Sequence, residues 1–295
     1  MKQVGIIKEI WRYPVKGMAG EMTNSCPIGP DGLAGDRVWA LRDTARQEIQ
    51  SCKFRPNLLQ CTATSRNQTS SDNVIQHVDI RFPLGDSLGS DDISIHQKLS
   101  ELVGHESTLE KLQPLTNKDF YRRYKKSERG WLAELKDTFE REPGEPLPDF
   151  SDFPQQSIDY VTVPGTFFLV SSIHIITTST LQHLHEIQPE ADWDIRRFRP
   201  NIVIETDNNQ GLIEQEWVGQ QLTFANHVSD NSSTTIIDCV DTAPRCGAVT
   251  RQQDNISSDK SMLKTIVKHA DQNLGIYGNT SNHGILNVGD PVYLA

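Results

Sequence analysis

Apolar residues in this chain come in short bursts, and glycine or proline cuts most of them off. Residues 4–10 are one apolar-rich run. In residues 36–42, Val38 and Ala40 fall on one face and Trp39 and Leu41 on the other. That is the pattern of a strand buried on both sides. Residues 77–82 alternate again through Val78, Ile80 and Phe82, while Gly29-Pro-Asp-Gly32 and Pro83-Leu-Gly85 read as turns. Short strands with frequent turns predict a small β-barrel or sandwich in the first third.

Residues 96–103 predict one short helix, with Leu99, Leu102 and Val103 on one side. Residues 117–142 are dense in charge and aromatics. Trp131, Leu132, Leu135 and Phe139 recur there at helical spacing, until Pro143-Gly144, Pro146 and Pro148 stop the pattern. The basic run Arg122-Arg-Tyr-Lys-Lys126 within it reads as a solvated face or a docking patch. The second half reopens with residues 165–170 as a buried strand. Residues 178–187 form a helix with Leu181, Leu184 and Ile187 on one face. Residues 201–205, 222–224 and 234–240 read as strands. Ser258 is placed to cap a helix carrying the pairs Met262/Ile266 and Leu263/Val267, and residues 284–294 give two β runs about Gly289-Asp290. The expected fold is mixed and mainly β, with a few peripheral helices. It divides into residues 1–115, a charged helical insertion and Pro-rich connector at 116–155, and residues 156–295.

Charge and thiols narrow the function. The 295 residues carry 29 Lys and Arg against 39 Asp and Glu, a formal net charge of −10. A net-negative field suits neither a nucleic-acid groove nor an anionic membrane surface, so any anionic ligand needs a local cluster of cations. The five cysteines are odd in number and contain no CxxC pair, which fits neither a disulfide scaffold nor a Cys-rich zinc site. Residues 160–185 lack Asp, Glu, Lys and Arg, but Pro164, Gly165 and many Ser and Thr make them too polar to cross a bilayer. With Glu9 close to the start, the expectation is a cytoplasmic protein without a transmembrane anchor.

Four segments pair a loop or strand end with a cation or a thiol: Tyr13-Pro-Val-Lys-Gly17, Gly32-Leu-Ala-Gly-Asp-Arg37, Arg196-Arg-Phe-Arg-Pro-Asn201 and Asp241-Thr-Ala-Pro-Arg-Cys246. Cys246 lies in a loop beyond a β run, and the neighbouring Arg245 favours its thiolate. Such a sulfur can be a nucleophile, a sulfur carrier, a soft-metal ligand or a small buried hydrophobe. Cys26, Cys52, Cys61 and Cys239 take the last reading. Lys16, Arg37 and Arg199 sit at turns and strand ends, where they either converge on one anion or stand as separate surface charges. Gly17, Gly32 and Gly35 would let backbone approach a ligand closely.

Taken in this order, these segments resemble the two-part MOSC proteins, in which an N-terminal MOSC β-barrel domain precedes a MOSC (molybdenum cofactor sulfurase C-terminal) domain. The mitochondrial amidoxime-reducing component and its bacterial relatives belong there. Tyr13-Pro-Val-Lys16 and Gly-Asp-Arg-Val-Trp39 match the N-terminal signatures. Phe198-Arg-Pro-Asn-Ile202, Pro244-Arg-Cys246 and Val288-Gly-Asp-Pro-Val292 match the C-terminal ones. The resemblance implies that residues 1–115 are the first domain and 156–295 the second. It implies a molybdenum cofactor (molybdopterin with a dithiolene and a phosphate), with Cys246 as the protein ligand to the metal. Lys16, Gly17, Arg37, Arg199 and Arg245 would bind the phosphate and pterin edge. Asn201, Ser171 and Ser172 would add hydrogen bonds, and Tyr277 would close over the cofactor. A family-level association with pyridoxal phosphate binding comes with it. The implied reaction is a two-electron reduction with oxygen-atom transfer from a small N-oxygenated substrate. Electrons would come from a cytochrome b5-like or ferredoxin-like donor, and Asp241 is the candidate proton donor. Sulfur transfer through a Cys246 persulfide and non-catalytic cofactor holding are the other family roles. The amidoxime-reducing branch follows its Cys with a Thr-Thr-Val-Asp-like stretch. Here the sequence is Gly-Ala-Val-Thr-Arg-Gln-Gln-Asp254, which keeps Thr250.

Overall fold

The computed structural model describes residues 1–66, 77–124, 130–150, 155–206, 211–225 and 234–295. Its centre is a closed barrel of seven strands. Ile202–Glu205 pairs with Ile173–Thr177. Then follow Asn273–Asn279, Thr235–Pro244, Gln221–Phe224, Pro291–Leu294 and Lys2–Arg12, which returns to Ile202–Glu205. The pairing of Ile173–Thr177 with Ile202–Glu205 is parallel and the others are antiparallel. Two-residue alternation explains the layering. Ile173, Ile175, Ile202 and Ile204 point into the barrel with Trp217, Phe224 and Ile237. Ile176 points outward, against Leu184, Met262 and Ile266 of the helices Thr178–Ile187 and Ser261–His269. The strand Ile173–Thr177 is therefore buried along its whole length.

The two ends of the chain interleave. The first strand completes the barrel, and Gly284–Asn287, near the C-terminus, pairs with Ser25–Gly29. That small sheet stops the barrel with Cys26, Ile28, Leu33 and Leu286. A second core gathers Trp39, Leu41, Ile80 and Leu99 from two three-stranded sheets and the helix Ile95–Val103, with Val15, Met18 and Leu58 from the segments between them. Trp39 and Leu41 enter it, while Ala40 faces another cluster with Ile49, Tyr121 and Phe167, so this strand is buried on both faces as its sequence requires.

Three local expectations shift. Residues 165–170 form turns and bends, not a strand. Phe167 and Phe168 are buried but Leu169 and Val170 are exposed, and the Phe167 carbonyl accepts from Lys16 Nζ at 2.8 Å instead of from a strand neighbour. The helix in the insertion is short, Trp131–Asp137, and Phe139 lies beyond its end. The last helix begins at Ser261, where Asp259 accepts from the Ser261 amide at 2.9 Å, so Ser258 caps nothing. Lys125 and Lys126 of the basic run lie outside the described residues. No helix among the described residues is long and apolar enough to cross a membrane.

Candidate functional site

Backbone pairing builds the cationic end of the site. The Lys16 amide donates to the Trp39 carbonyl at 2.8 Å, and the Arg37 amide donates to the Tyr13 carbonyl at 2.8 Å. Tyr13 Oη donates to the Pro200 carbonyl at 3.0 Å, which brings in the segment that carries Arg199. Three stretches far apart in sequence thus meet around one buried ring. The Arg199 guanidinium carbon lies 4.2 Å from the Tyr13 centroid and that of Arg37 lies 5.3 Å from it. Arg37 also stands 5.2 Å from the Phe168 ring. Cations over aromatic faces are attracted to them, which partly offsets their mutual repulsion. Both arginines hold left-handed backbone, at φ 50° and 55°. This conformation is costly for a side chain with a Cβ and is retained where surrounding structure imposes it.

The cluster is short of negative charge. Asp36 pairs with Arg37. Its other oxygen accepts from the Tyr13 amide at 2.7 Å. Lys16 makes no salt bridge within the described residues. Burial, then Arg37, lowers its pKa from 10.5 to about 7, and Lys53 and Arg199 push the same way. Burial likewise lowers the pKa of Arg199. Next to this cluster, Ser172 Oγ is buried without a hydrogen-bond partner among the described residues. Gly32, at φ 91°, lies where a Cβ would come within 3.0 Å of the Ser172 Cβ and 3.4 Å of the Phe168 ring. An anion with several acceptor oxygens would answer the surplus charge and the orphan hydroxyl together.

The thiol end follows from the strand Thr235–Pro244. Its register sets Asp241 opposite Tyr277. Cys246 then opens the short 3-10 turn Gly247–Thr250. Burial raises the Tyr277 pKa; Arg245 opposes this, Cys246 and Asp241 add to it, and Arg37 lowers it. Arg37 therefore joins the two ends of the site electrostatically. Cys246 is half-buried, whereas Cys26, Cys61 and Cys239 are buried. Burial pushes these three thiols up to about 11, 12 and 12, respectively, which keeps them protonated and inert.

The structure thus brings Lys16, Gly17, Arg37, Arg199, Ser172, Tyr277 and Cys246 to one seam. Ser171 lies beside Ser172, half-buried, and Asp241 is exposed, with its carboxylate accepting from the Thr242 amide at 2.7 Å. Arg245 and Asn201 stand behind the seam with their polar atoms committed to protein. Arg245 is buried, donates to the Leu274 and Phe198 carbonyls at 3.0 and 3.2 Å, and also donates to His174 Nε2. Burial holds the pKa of His174 well below its ordinary range, so the ring is neutral and accepts that bond. Asn201, fully buried, accepts from the His174 amide at 3.2 Å and donates to Asp36 at 3.0 Å. Both residues lock the walls that carry the other side chains. Thr250 donates to the Gly247 carbonyl at 2.9 Å, and Asp254 pairs with Arg81 at 2.8 Å.

No sequence pattern marks Cys52 as a site residue. It is half-buried against Gly17, whose ideal Cβ would lie 3.0 Å from the Cys52 amide nitrogen. It also lies within charge reach of Lys16 and Arg199. Only the turn at Gly17 brings it there.

Family comparison agrees with this assembly of parts. Residues 4–100 match the MOSC N-terminal beta barrel domain and residues 165–293 match the MOSC domain. The chain belongs to the MOSC family. Two solved structures are similar to parts or all of this MOSC protein. YiiM from Geobacillus stearothermophilus is 12% identical with a TM-score of 0.30, over 42% of this chain and 54% of that one. The chain thus spans about half the length of YiiM. The YuaD protein from Bacillus subtilis is 8% identical with a TM-score of 0.43, over 100% of this chain and 97% of that one. Both likenesses are too distant to assign a residue or an activity. No curated protein matches the chain.

Proposed function

We propose that this MOSC protein binds a molybdenum cofactor at the seam and catalyses a two-electron reduction of a small N-oxygenated compound. MOSC domains are generally associated with that cofactor. The observation that carries the reading is the convergence of Arg37 and Arg199 on Tyr13, with Lys16 buried within charge reach of both and short of counter-charge, and the half-buried Cys246 at the other end. The donor set fits the cofactor. Lys16, Arg37, Arg199 and Ser172 would hold its phosphate, Cys246 would supply a soft thiolate to the metal, and Tyr277 would lie over it. Bound there, the group would supply the oxygen-atom acceptance and electron storage that no side chain offers.

The protein's share is orientation and electrostatics. The Tyr13 ring holds both arginines, and the Asp36 carboxylate holds Arg37, before any ligand arrives, so little ordering cost remains at binding. In the overall reaction the N–O bond breaks, two electrons and two protons enter, and water leaves. The electrons would come from a one-electron carrier of the cytochrome b5 or ferredoxin class. Asp241, exposed near Tyr277, is the proposed proton source.

Elemental analysis of protein expressed with molybdate tests the reading. Near-stoichiometric molybdenum is expected in the wild type, with loss in Cys246→Ala. Metal retained by the variant would refute ligation by Cys246. A second reading draws on the two half-buried thiols, Cys52 and Cys246, at opposite ends of the seam. A persulfide on Cys246 would be passed to an acceptor thiol. Cyanide-labile sulfur on metal-free protein, absent in Cys246→Ala, would favour it.

A further inference from the structure

The insertion does not hang free of the site. From Thr138 onward it crosses the loop of Cys246 and is bonded on both sides of that residue. The Thr138 carbonyl accepts from the Gly247 amide at 2.9 Å, and Arg141 Nη2 donates to the Arg245 carbonyl at 2.9 Å. Glu140 pairs with Arg251, and Glu142 pairs with Lys264 at 2.5 Å. A methyl group on residue 247 would overlap the Glu140 side chain, so the contact depends on glycine there. Glu140 itself holds left-handed backbone at φ 52°, which its ion pair and the flanking bonds help to maintain.

Between these anchors Phe139 is 5% exposed. One side of its ring meets Phe150, with centroids 5.7 Å apart, and Arg141 stands 5.4 Å from it. On another side Lys53 Nζ stands 5.5 Å from the centroid. Lys53 follows Cys52 and lies within charge reach of Lys16. Phe139 therefore links the cation end of the seam to the bracketed thiol end. A ring buried in that position serves as a wall for whatever approaches Cys246.

We propose that Phe139 and Glu140 roof the seam and set the width of the molecules that reach Cys246. They are specificity-determining residues. A small, narrow reactant passes between roof and barrel, and a wide one meets the phenyl ring. The inference rests on the proposed function in taking Cys246 as the centre of the site, but its test needs neither metal nor turnover.

The experiment measures alkylation of Cys246 in the full-length, metal-free protein. Iodoacetamide serves as the narrow reagent and N-(1-pyrenyl)maleimide as the wide one, with modification read by mass spectrometry of the peptide carrying Cys246. In Phe139→Ala the ratio of wide to narrow rates should rise about tenfold or more, the scale on which one apolar side chain discriminates among ligands. Glu140→Ala, which only releases the contact with Arg251 and Gly247, should shift the ratio in the same direction. It carries the test should Phe139→Ala fail to fold. A ratio unchanged in the folded variants, or both reagents accelerated equally, would overturn the proposal. Molybdenum loss in Cys246→Ala is a separate measurement, so the failure of one reading does not disguise the failure of the other.

Discussion

Inside the barrel, Ile7, Ile10, Ile175, Trp217, Phe224 and Ile276 are almost completely withdrawn from water and touch one another. At the seam a few residues away, Arg37 and Arg199 crowd one tyrosine on left-handed backbone, Lys16 is buried within charge reach of both, and Ser172 Oγ has no partner among the described residues. The barrel wall serves both regions: Ile173 and Ile175 point inward, and Ser172 and Tyr277 carry the seam. The contrast separates two uses of burial. In the barrel, removing apolar surface from water stabilises the fold. At the seam, burial raises the energy of charged and polar groups, and Asp36, the Tyr13 ring and the Phe167 carbonyl offset only part of that cost.

The contrast can be broken first at the barrel. Phe224→Ala should destabilise the protein by about 3–5 kcal/mol, seen as a large drop in the denaturation midpoint. A loss below about 1 kcal/mol would mean that this ring is not a structural core residue.

Lys16→Met should behave in the opposite sense. The folded protein lowers the Lys16 pKa from 10.5 to about 7. Below pH 7 both folded and unfolded chains hold the proton, and the full penalty acts. Between about pH 7 and 10.5 the unfolded chain binds more protons, so wild-type stability should climb with pH across that window. Lys16→Met removes this slope and should leave the metal-free protein as stable as the wild type or more so at pH 7, while weakening inorganic phosphate binding by about tenfold, the range of a charge-assisted bond. Chemical denaturation at several pH values, with phosphate titrated into each protein, checks both halves. An unchanged slope in the variant would dissociate Lys16 from the seam's charge surplus.

The smallest change sharpens the comparison most. Ser172→Ala deletes a buried hydroxyl that has no hydrogen-bond partner among the described residues. Stability without ligand should move by less than about 1 kcal/mol, with phosphate affinity reduced by about 1 kcal/mol. Isothermal titration and thermal melting read the two quantities. A large stability loss with unchanged affinity would make Ser172 a structural residue.

Much of the architecture was legible in the sequence because its signals are local. Alternation in residues 36–42 placed Trp39 and Leu41 against one core and Ala40 against another. The apolar spacing of residues 178–187 gave the helix that covers the barrel. Residues 165–170 misled for a physical reason. An apolar run states that side chains will be buried, not that a neighbouring strand will accept the backbone, and here Lys16 takes the Phe167 carbonyl instead. The motifs marked the site but not the duties within it. Arg197 and Arg199 are two residues apart and chemically identical. Yet Arg197 is spent on Asp192 and the Ser257 carbonyl, while Arg199 lies over Tyr13. Arg245, next to Cys246, turns inward to backbone carbonyls.

By itself the sequence determined the strand rhythm, the faces that must be buried and the short list of reactive side chains, because each depends on neighbours within a few residues. The tertiary structure alone decided which cations meet, that Cys52 joins them and that the insertion lies across Cys246. Those outcomes depend on bonds such as Tyr13 to Pro200 and Thr138 to Gly247, which join residues more than one hundred positions apart and leave no trace in local pattern.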